Sequence, residues 1–422
     1  MNKIYLPAFG LALSMIFVAP AICSAVPTDP KACDHAITGK IGSAPAIVAL
    51  AKAGFALDLI IHAKAQAGNI SVSPFGLASV IAGLDLGADA RTNAAIAELL
   101  HVGAKSRLSI NSYRYDSRRL SRAEVTASSP LSSANAFFYD GQLKLNGDIA
   151  SSIAAESGFA VSAVDFADPK TIDRVNRWVS TGTGGAVPEI IEPGFSASLA
   201  AINAFHFSDC WKYRFDPDFT KERAFHTLDG RDTPVATMAL DTTTIGNNAR
   251  LAVRQKGRFI AVELPYADPR FVLDMVTTTD KPAERSEFRS STGLLAGIKF
   301  KPSDVRLTLP AFDDTASIDA LTDFDLPKLG IIVNSSKAFS GIAEGIQLST
   351  IVQKLVLKVD ERGTEAAAAT AAIAVRGAQI LKPAKTIAFD KPFIFAIRHK
   401  ETGAVLISGY VAEPHVTKTE VR

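Results

Sequence analysis

The sequence predicts one large α+β domain, on three observations. Apolar residues recur at helical spacing through the first third of the chain, whereas the remainder is dominated by alternating or continuous apolar runs that end at proline or glycine. Helices and strands are therefore segregated instead of alternating as βαβ units. No proline-, serine- or glycine-rich linker separates the periodic segments and no internal repeat is present, so the 397 residues from 26 to 422 read as one domain. The charge balance, 45 basic against 43 acidic side chains, leaves a formal net charge of +2 and no basic footprint for a nucleic acid.

The first 25 residues carry a lone Lys3, an apolar run from Ile4 to Val18 and small residues at Ser24 and Ala25, the pattern of a secretory signal peptide cleaved after Ala25. The run is short and interrupted by Pro7 and Gly10, which argues against a membrane anchor. Ile22 before Cys23 argues against a lipoprotein site. The expected mature chain, 26–422, is secreted or periplasmic, carries no membrane anchor and has a net charge of +1. It keeps Cys33 and Cys210, too few for a disulfide framework; an oxidising compartment would let them pair, and spacing leaves that open.

Leu50, Leu57 and Ile61 recur at helical spacing and predict an amphipathic helix from Ile47 to Gln66. Ser73 and Pro74 suit the cap and first turn of the next helix, which carries Leu77, Ile81 and Leu84 on one face and stops at Gly87. Arg114, Arg118 and Arg122, spaced at four, share a helix face; with Asp116 and Glu124 nearby it reads as a solvated face. Of Val262–Tyr266, Val305–Pro310, 329–331 and Phe339–Ile342, several are alternating or continuous apolar runs closed by Pro or Gly and are expected to be strands. Leu355, Leu357 and Val359 alternate with Val356 and Lys358, and Phe393 to Ile397 forms another apolar run, so two further strands are expected.

Between these last two strands lie about thirty residues with no large apolar anchor before Ile373, long enough for a loop in a compact domain to imply function. Propensity alone would make its alanine run helical, and an Ala-rich linker is the plainer alternative. If the segment became a strand, Thr364, Ala366, Ala368, Thr370, Ala372 and Ala374 would share the inward face, all small and uncharged. From Ala366 to Val375 neither face carries a charge, and Arg376 is the first.

The run Glu361-Arg-Gly363-Thr364-Glu365-Ala366-Ala367-Ala368-Ala369-Thr370 resembles the hinge of the reactive-centre loop in inhibitory serpins. The resemblance continues through Lys391-Pro392-Phe393-Ile394-Phe395, Arg398-His399, Thr402-Gly403, Gly409 and Pro414. It also covers Asn69 to Pro74, Val175 to Val179, Thr183 to Val187, and Asn203 through Trp211, Phe215, Thr220 and Phe225. It implies helices packed around a large central mixed β-sheet, further sheets, and an exposed reactive-centre loop at about 361–385. It places Ser73, Pro74, Asn203 and Gln353 in a shutter that lets two central strands part, and Trp211 in the breach where the loop enters. Read without it, Trp211 is a core residue and Asn203 a buried amide satisfying its neighbours. The chain departs from the family at Gly76, where a serine is usual, and at Gln353, which stands in for a histidine and cannot titrate near neutral pH. The helix with Arg114, Arg118 and Arg122 is similar in position to one that binds heparin-like polyanions in some members.

Function follows from the same resemblance. A suicide-substrate inhibitor is implied: the catalytic serine of a target protease attacks the loop, an acyl-enzyme forms, and the loop from about Thr364 to Val375 inserts into the sheet before hydrolysis. The expected partner is thus a serine protease held as a covalent acyl complex by a monomeric inhibitor. Cleavage between Arg376 and Gly377 would suit a trypsin-like enzyme; Val375 or Gly377 would suit an elastase-like one, and Leu381 a chymotrypsin-like one. Within the fold the alternative is a non-inhibitory chaperone, carrier or storage protein, and outside it a secreted hydrolase. For the hydrolase the motifs are missing: Gly194-Phe-Ser196-Ala-Ser198 lacks the closing glycine of an esterase elbow, and there is no His-Glu-x-x-His zinc motif. His35, His62, His101, His206, His226, His399 and His415 form no ligand cluster with cysteine, so no metal, cofactor or enzymatic activity is expected.

Overall fold

A computed structural model of the chain describes residues 45–64, 68–102, 110–123, 130–245, 248–326, 330, 332, 337–364 and 383–415. The helical third comprises α1 (Ala46–Ile61), the short strand β1 (Ile70–Val72), α2 (Pro74–Leu84), α3 (Ala90–Leu99) and α4 (Ile110–Ala123). Then follow β2 (Leu131–Asp140), α5 (Gly147–Ser157), β3 (Ala160–Val164), α6 (Pro169–Gly182), β4 (Leu199–Phe207) and its short continuation β5 (Asp209–Cys210). Strands β6 (Lys221–His226), β7 (Asp232–Asp241), β8 (Leu251–Lys256), β9 (Phe259–Pro265) and β10 (Phe271–Thr278) precede the one-turn helix α7 (Thr292–Leu295). The chain continues through β11 (Lys301–Ser303), β12 (Val305–Pro310), β13 (Phe312–Asp319) and α8 (Ala320–Asp323). It ends with β14 (Leu348–Val359), β15 (Gly363–Thr364), β16 (Lys385–Ala388), β17 (Phe393–His399) and β18 (Val405–Val411).

The central sheet runs β3-β2-β4-β14-β13 and is mixed: β2 with β3 and β4 with β14 are parallel, while β2 with β4 and β13 with β14 are antiparallel. A second, seven-stranded sheet runs β1-β18-β17-β10-β9-β8-β11, and a third runs β16-β12-β7-β6. Phe205, Phe207, Leu355 and Leu357 on the inner face of the central sheet pack with Leu264, Phe271 and Phe395 of the second. Lower on that face, Phe137, Leu199 and Ile351 pack with Leu77 and Ile81 of α2. The outer face presents Ala134, Ala136, Ile202 and Ala204 to Ile172, Val175 and Val179 of α6. Burial of these apolar faces is the main stabilising term.

Helix α2 has no charged residue and is buried on every side, more than the one-sided pattern of Leu77, Ile81 and Leu84 implied. Its start is as expected: the Ser73 Oγ accepts from the Gly76 N–H at 3.0 Å, with Pro74 in the first turn. Other expectations need correction. Helix α1 stops at Ile61, because Ala63 bridges to Phe324 and the Lys64 N–H donates to the Asp323 carbonyl. Leu50 is 40% exposed, and the buried face of α1 is instead built largely from Ala49, Ala53, Ala56, Leu57 and Ile60. The run Phe339–Ile342 is a turn, not a strand: Phe339 and Ile342 are buried, but the Gly341 N–H is bound by the Gly87 carbonyl rather than by a strand. Residues 329 and 331, the expected signal peptide and Cys33 lie outside the described residues.

Candidate functional site

Strands β4 and β14 meet directly along a seam from Leu199 opposite Leu348 to His206 opposite Val356, with no strand between them. One polar pair faces inward along it, Asn203 opposite Gln353, flanked by Phe205 with Leu355 and Ala201 with Ile351. The Gln353 Nε2 donates to Asn203 Oδ1 at 2.7 Å and to the Ser73 carbonyl at 2.9 Å, while its Oε1 accepts from the Ser73 N–H at 2.6 Å. Asn203 Nδ2 in turn donates to Asn135 Oδ1 on β2 at 2.5 Å. This chain of neutral groups ties three adjacent strands to the start of α2, and Asn203, Gln353 and Ser73 are fully buried. Buried polar groups are tolerated when paired in this way.

At the top of the seam the geometry changes. Gly363 and Thr364 of β15 pair antiparallel with Cys210 and Asp209, and Thr364 also pairs with Val359, so these two residues lie between β5 and β14. A Cβ on Gly363 would lie 2.1 Å from the Asp209 carbonyl oxygen, so this close approach requires glycine. Thr364 is fully buried, its Oγ1 2.7 Å from the Tyr266 hydroxyl. Burial pushes the Tyr266 phenol well above its ordinary range, partly opposed by the Thr364 contact, so the ring stays neutral. Trp211 stacks on Tyr266 with centroids 4.6 Å apart; its indole N–H donates to the Asp360 carbonyl and its backbone N–H to that of Arg362, both at 2.8 Å. The Glu361 carboxylate accepts from the Thr220 hydroxyl at 2.7 Å, and its carbonyl from the Phe215 N–H at 3.0 Å.

Strands β4 and β14 are thus paired directly along the seam, with the short segment Gly363–Thr364 paired at its top. A family profile described as Serpin (serine protease inhibitor) matches residues 50–414. The chain belongs to the serpin family. Among relatives, human glia-derived nexin is 30% identical over 369 residues, covering 82% of this chain and 88% of the relative. Pig leukocyte elastase inhibitor is 29% identical over 382 residues, covering 85% and 97%. The solved structure of native protease nexin-1 with heparin is 26% identical, with a TM-score of 0.68 over 87% of this chain and all of that one. Tengpin, a thermophilic serpin solved in the native state, is 22% identical with a TM-score of 0.73 over 89% of this chain and 96% of that one, a likeness of fold alone. The serpin fold is therefore established, and the family is one described as serine protease inhibitors, with an elastase inhibitor among the relatives.

The serpin geometry brings Ser73, Pro74, Asn203 and Gln353 together at the seam, and groups Trp211, Glu361, Gly363 and Thr364 at its top. Glu365, Ala366, Ala367, Ala368, Ala369, Thr370, Arg376 and Gly377 lie outside the described residues. Arg114 does not join an exposed arginine face. Its guanidinium turns inward, donating to the Ala82 carbonyl at 3.0 Å and pairing with Asp85 and Glu156, because it closes the C-terminal end of α2 against α5. Arg118 is exposed, and the side chain of Arg122 lies outside the described residues. Cys210 is disulfide-bonded, which places a covalent tie on the strand that pairs with the hinge. Asn135 and the contact of Tyr266 with Thr364 were missed from sequence. Asn135 left little signal, since β2 also carries Ser133 at the same parity and Ser132 on the other face.

Proposed function

We propose that this serpin is an exported suicide-substrate inhibitor of trypsin-like serine proteases, with residues 1–25 as its signal peptide and 26–422 as one domain. The observation that carries the reading is the register at the hinge. Gly363 pairs with Cys210, and Thr364 with Asp209 and Val359; continuing that ladder without a slip would bring Thr370 opposite both Asn203 and Gln353. The one hydroxyl in the run from Ala366 to Val375 would thus meet the one polar inward pair flanked by Phe205–Leu355 and Ala201–Ile351, while Ala368 and Ala372 would meet those apolar pairs. A segment meant only to remain a loop has no reason to match that pattern.

In the proposed reaction the protease serine attacks the carbonyl of Arg376, the Arg376–Gly377 bond breaks with an acyl-enzyme left on Arg376, and the freed hinge enters the seam. About ten inserted residues at roughly 0.5–1.5 kcal/mol net per backbone hydrogen bond give on the order of ten kcal/mol. That is comparable with the stability of a whole domain and can offset distortion of the trapped protease. Leukocyte elastase inhibitor among the relatives keeps Val375 and Gly377 in view as alternative sites for an elastase-like target. The heparin in the protease nexin-1 structure supports a polyanion face, which here would rest on Arg118 and Arg122 without Arg114.

The test is to mix the mature protein with trypsin and, separately, an elastase, then analyse denaturing gels and the mass of the released C-terminal peptide. A denaturant-resistant complex with trypsin and a peptide beginning at Gly377 is expected. Cleavage without a complex by either enzyme would leave a substrate rather than an inhibitor of these proteases.

A further inference from the structure

We infer that Gly76 is a positioning residue for the seam: its missing side chain lets the Asn203 carboxamide bridge β14 and β2 at once, and that bridge sets how readily the sheet opens. A Cβ built on Gly76 would lie 2.0 Å from Asn203 Oδ1, 2.4 Å from its Cγ and 2.6 Å from its Nδ2, so the carboxamide occupies the space of a side chain at position 76. Gly76 is not among the residues of positive φ, so its backbone does not demand glycine. It sits in the first turn of α2, where alanine would be the better helix former. The constraint comes from across the interface.

Any larger residue at position 76 must push the Asn203 amide aside, and Asn203 then loses both partners together. Gln353 Nε2 would keep the Ser73 carbonyl but lose the bond across the seam, and Asn135 Oδ1 would lose its donor. The Gln353–Asn203 bond is the side-chain link between the two strands that must part, and Asn203–Asn135 anchors that link to the strand behind. The inference that this governs opening rests on the insertion reading above. The coupling between Gly76 and Asn203 does not.

A double-mutant cycle tests it with Gly76→Ala, Asn203→Ala and both together, in the full mature chain. Two readouts are taken: thermal unfolding of the uncleaved protein, and the rate at which inhibitory capacity is lost on incubation below the unfolding transition. Gly76→Ala is expected to lower the unfolding midpoint and to speed the loss roughly tenfold or more, as unpaired buried amides would. Adding it to Asn203→Ala, where the space is already empty, should cost nothing further or recover stability. Full additivity, or a Gly76→Ala protein that behaves as wild type, overturns the assignment. Should Gly76→Ala alone fail to fold, the double variant must fold; its failure would equally overturn it. The thermal cycle needs no insertion, whereas wild-type protein cut in the loop that gains no heat resistance would refute the insertion reading separately.

Discussion

In the central sheet, β4 and β14 are bridged by neutral amides, Gln353 to Asn203 at 2.7 Å. In the second sheet, β9, β10 and β17 are bridged by charges: Arg398 Nε donates to Asp274 at 2.7 Å, its Nη2 to Glu263 at 2.9 Å, and Lys400 reaches Glu263 at 3.0 Å. Asp274 is wholly buried and Arg398 nearly so. The two bridges differ in what they cost to part. A neutral hydrogen bond contributes about 0.5–1.5 kcal/mol net and can be exchanged for an equivalent one from an incoming hydroxyl. Stripping one partner from a buried ion pair leaves an uncompensated charge and costs about 3–5 kcal/mol. The seam proposed to open carries the exchangeable kind of link, and the sheet that serves as its platform carries the other.

The sharpest way to break that comparison is Arg398→Met. Above about pH 7, where Asp274 is ionised, it should lower stability by about 3–5 kcal/mol in denaturant unfolding, because Asp274 and Glu263 lose the cation they share. At a temperature where the variant remains folded, the partition between covalent complex and cleaved product should be unchanged, since none of the seam residues is touched. A variant that keeps its stability but loses complex formation would show that the second sheet takes part in opening.

An effect of at most similar size is expected from pH. Burial pushes the Asp274 carboxyl up to about 7, against the neighbouring Arg398 and with help from Glu263. An unfolded aspartate titrates near 3.9, so between about pH 4 and 7 the folded protein holds a proton that the unfolded chain has released. The stabilisation from this group is therefore complete below about pH 4 and is lost as pH rises to about 7. Wild type should fall relative to Asp274→Asn across that window and run parallel to it above. A difference that stays flat would mean that Arg398 keeps the carboxylate ionised throughout. No such titration is available to Gln353 or Asn203.

What was legible in the sequence follows the same division. The strands on either side of the proposed reactive loop were readable from the alternation at Leu355, Leu357 and Val359 and the apolar run from Phe393. Asn203, Gln353, Ser73 and Trp211 were reached through motif order, and the structure brings them to the seam and its top. Arg114 misled because spacing at four specifies a helix face but not which way that face turns; only the packing of α2 and α5 against it turned it inward. Gly76 was noticed as a departure, yet its meaning lay in the Asn203 carboxamide, distant in sequence and opposite in space. Tertiary partners of this sort leave no periodic trace in a single chain.

The last and smallest change falls at the top of the seam. Thr364 is buried against Tyr266, and Thr364→Arg would place a charge where the first inserted side chain must sit. The site is close to the end of the sheet, so the long arginine stem can carry its charge toward solvent and the penalty is reduced rather than prohibitive. The yield of covalent complex should fall about tenfold, equivalent to roughly 1.4 kcal/mol in the competition between insertion and hydrolysis. Uncleaved stability should change less, because Thr364 and Gly363 can withdraw without disturbing the seam below. Measuring both quantities in one protein separates the hinge from the amide link. If the yield is undiminished, Thr364 does not enter first, and the match between Thr370 and the Asn203–Gln353 pair loses its starting register.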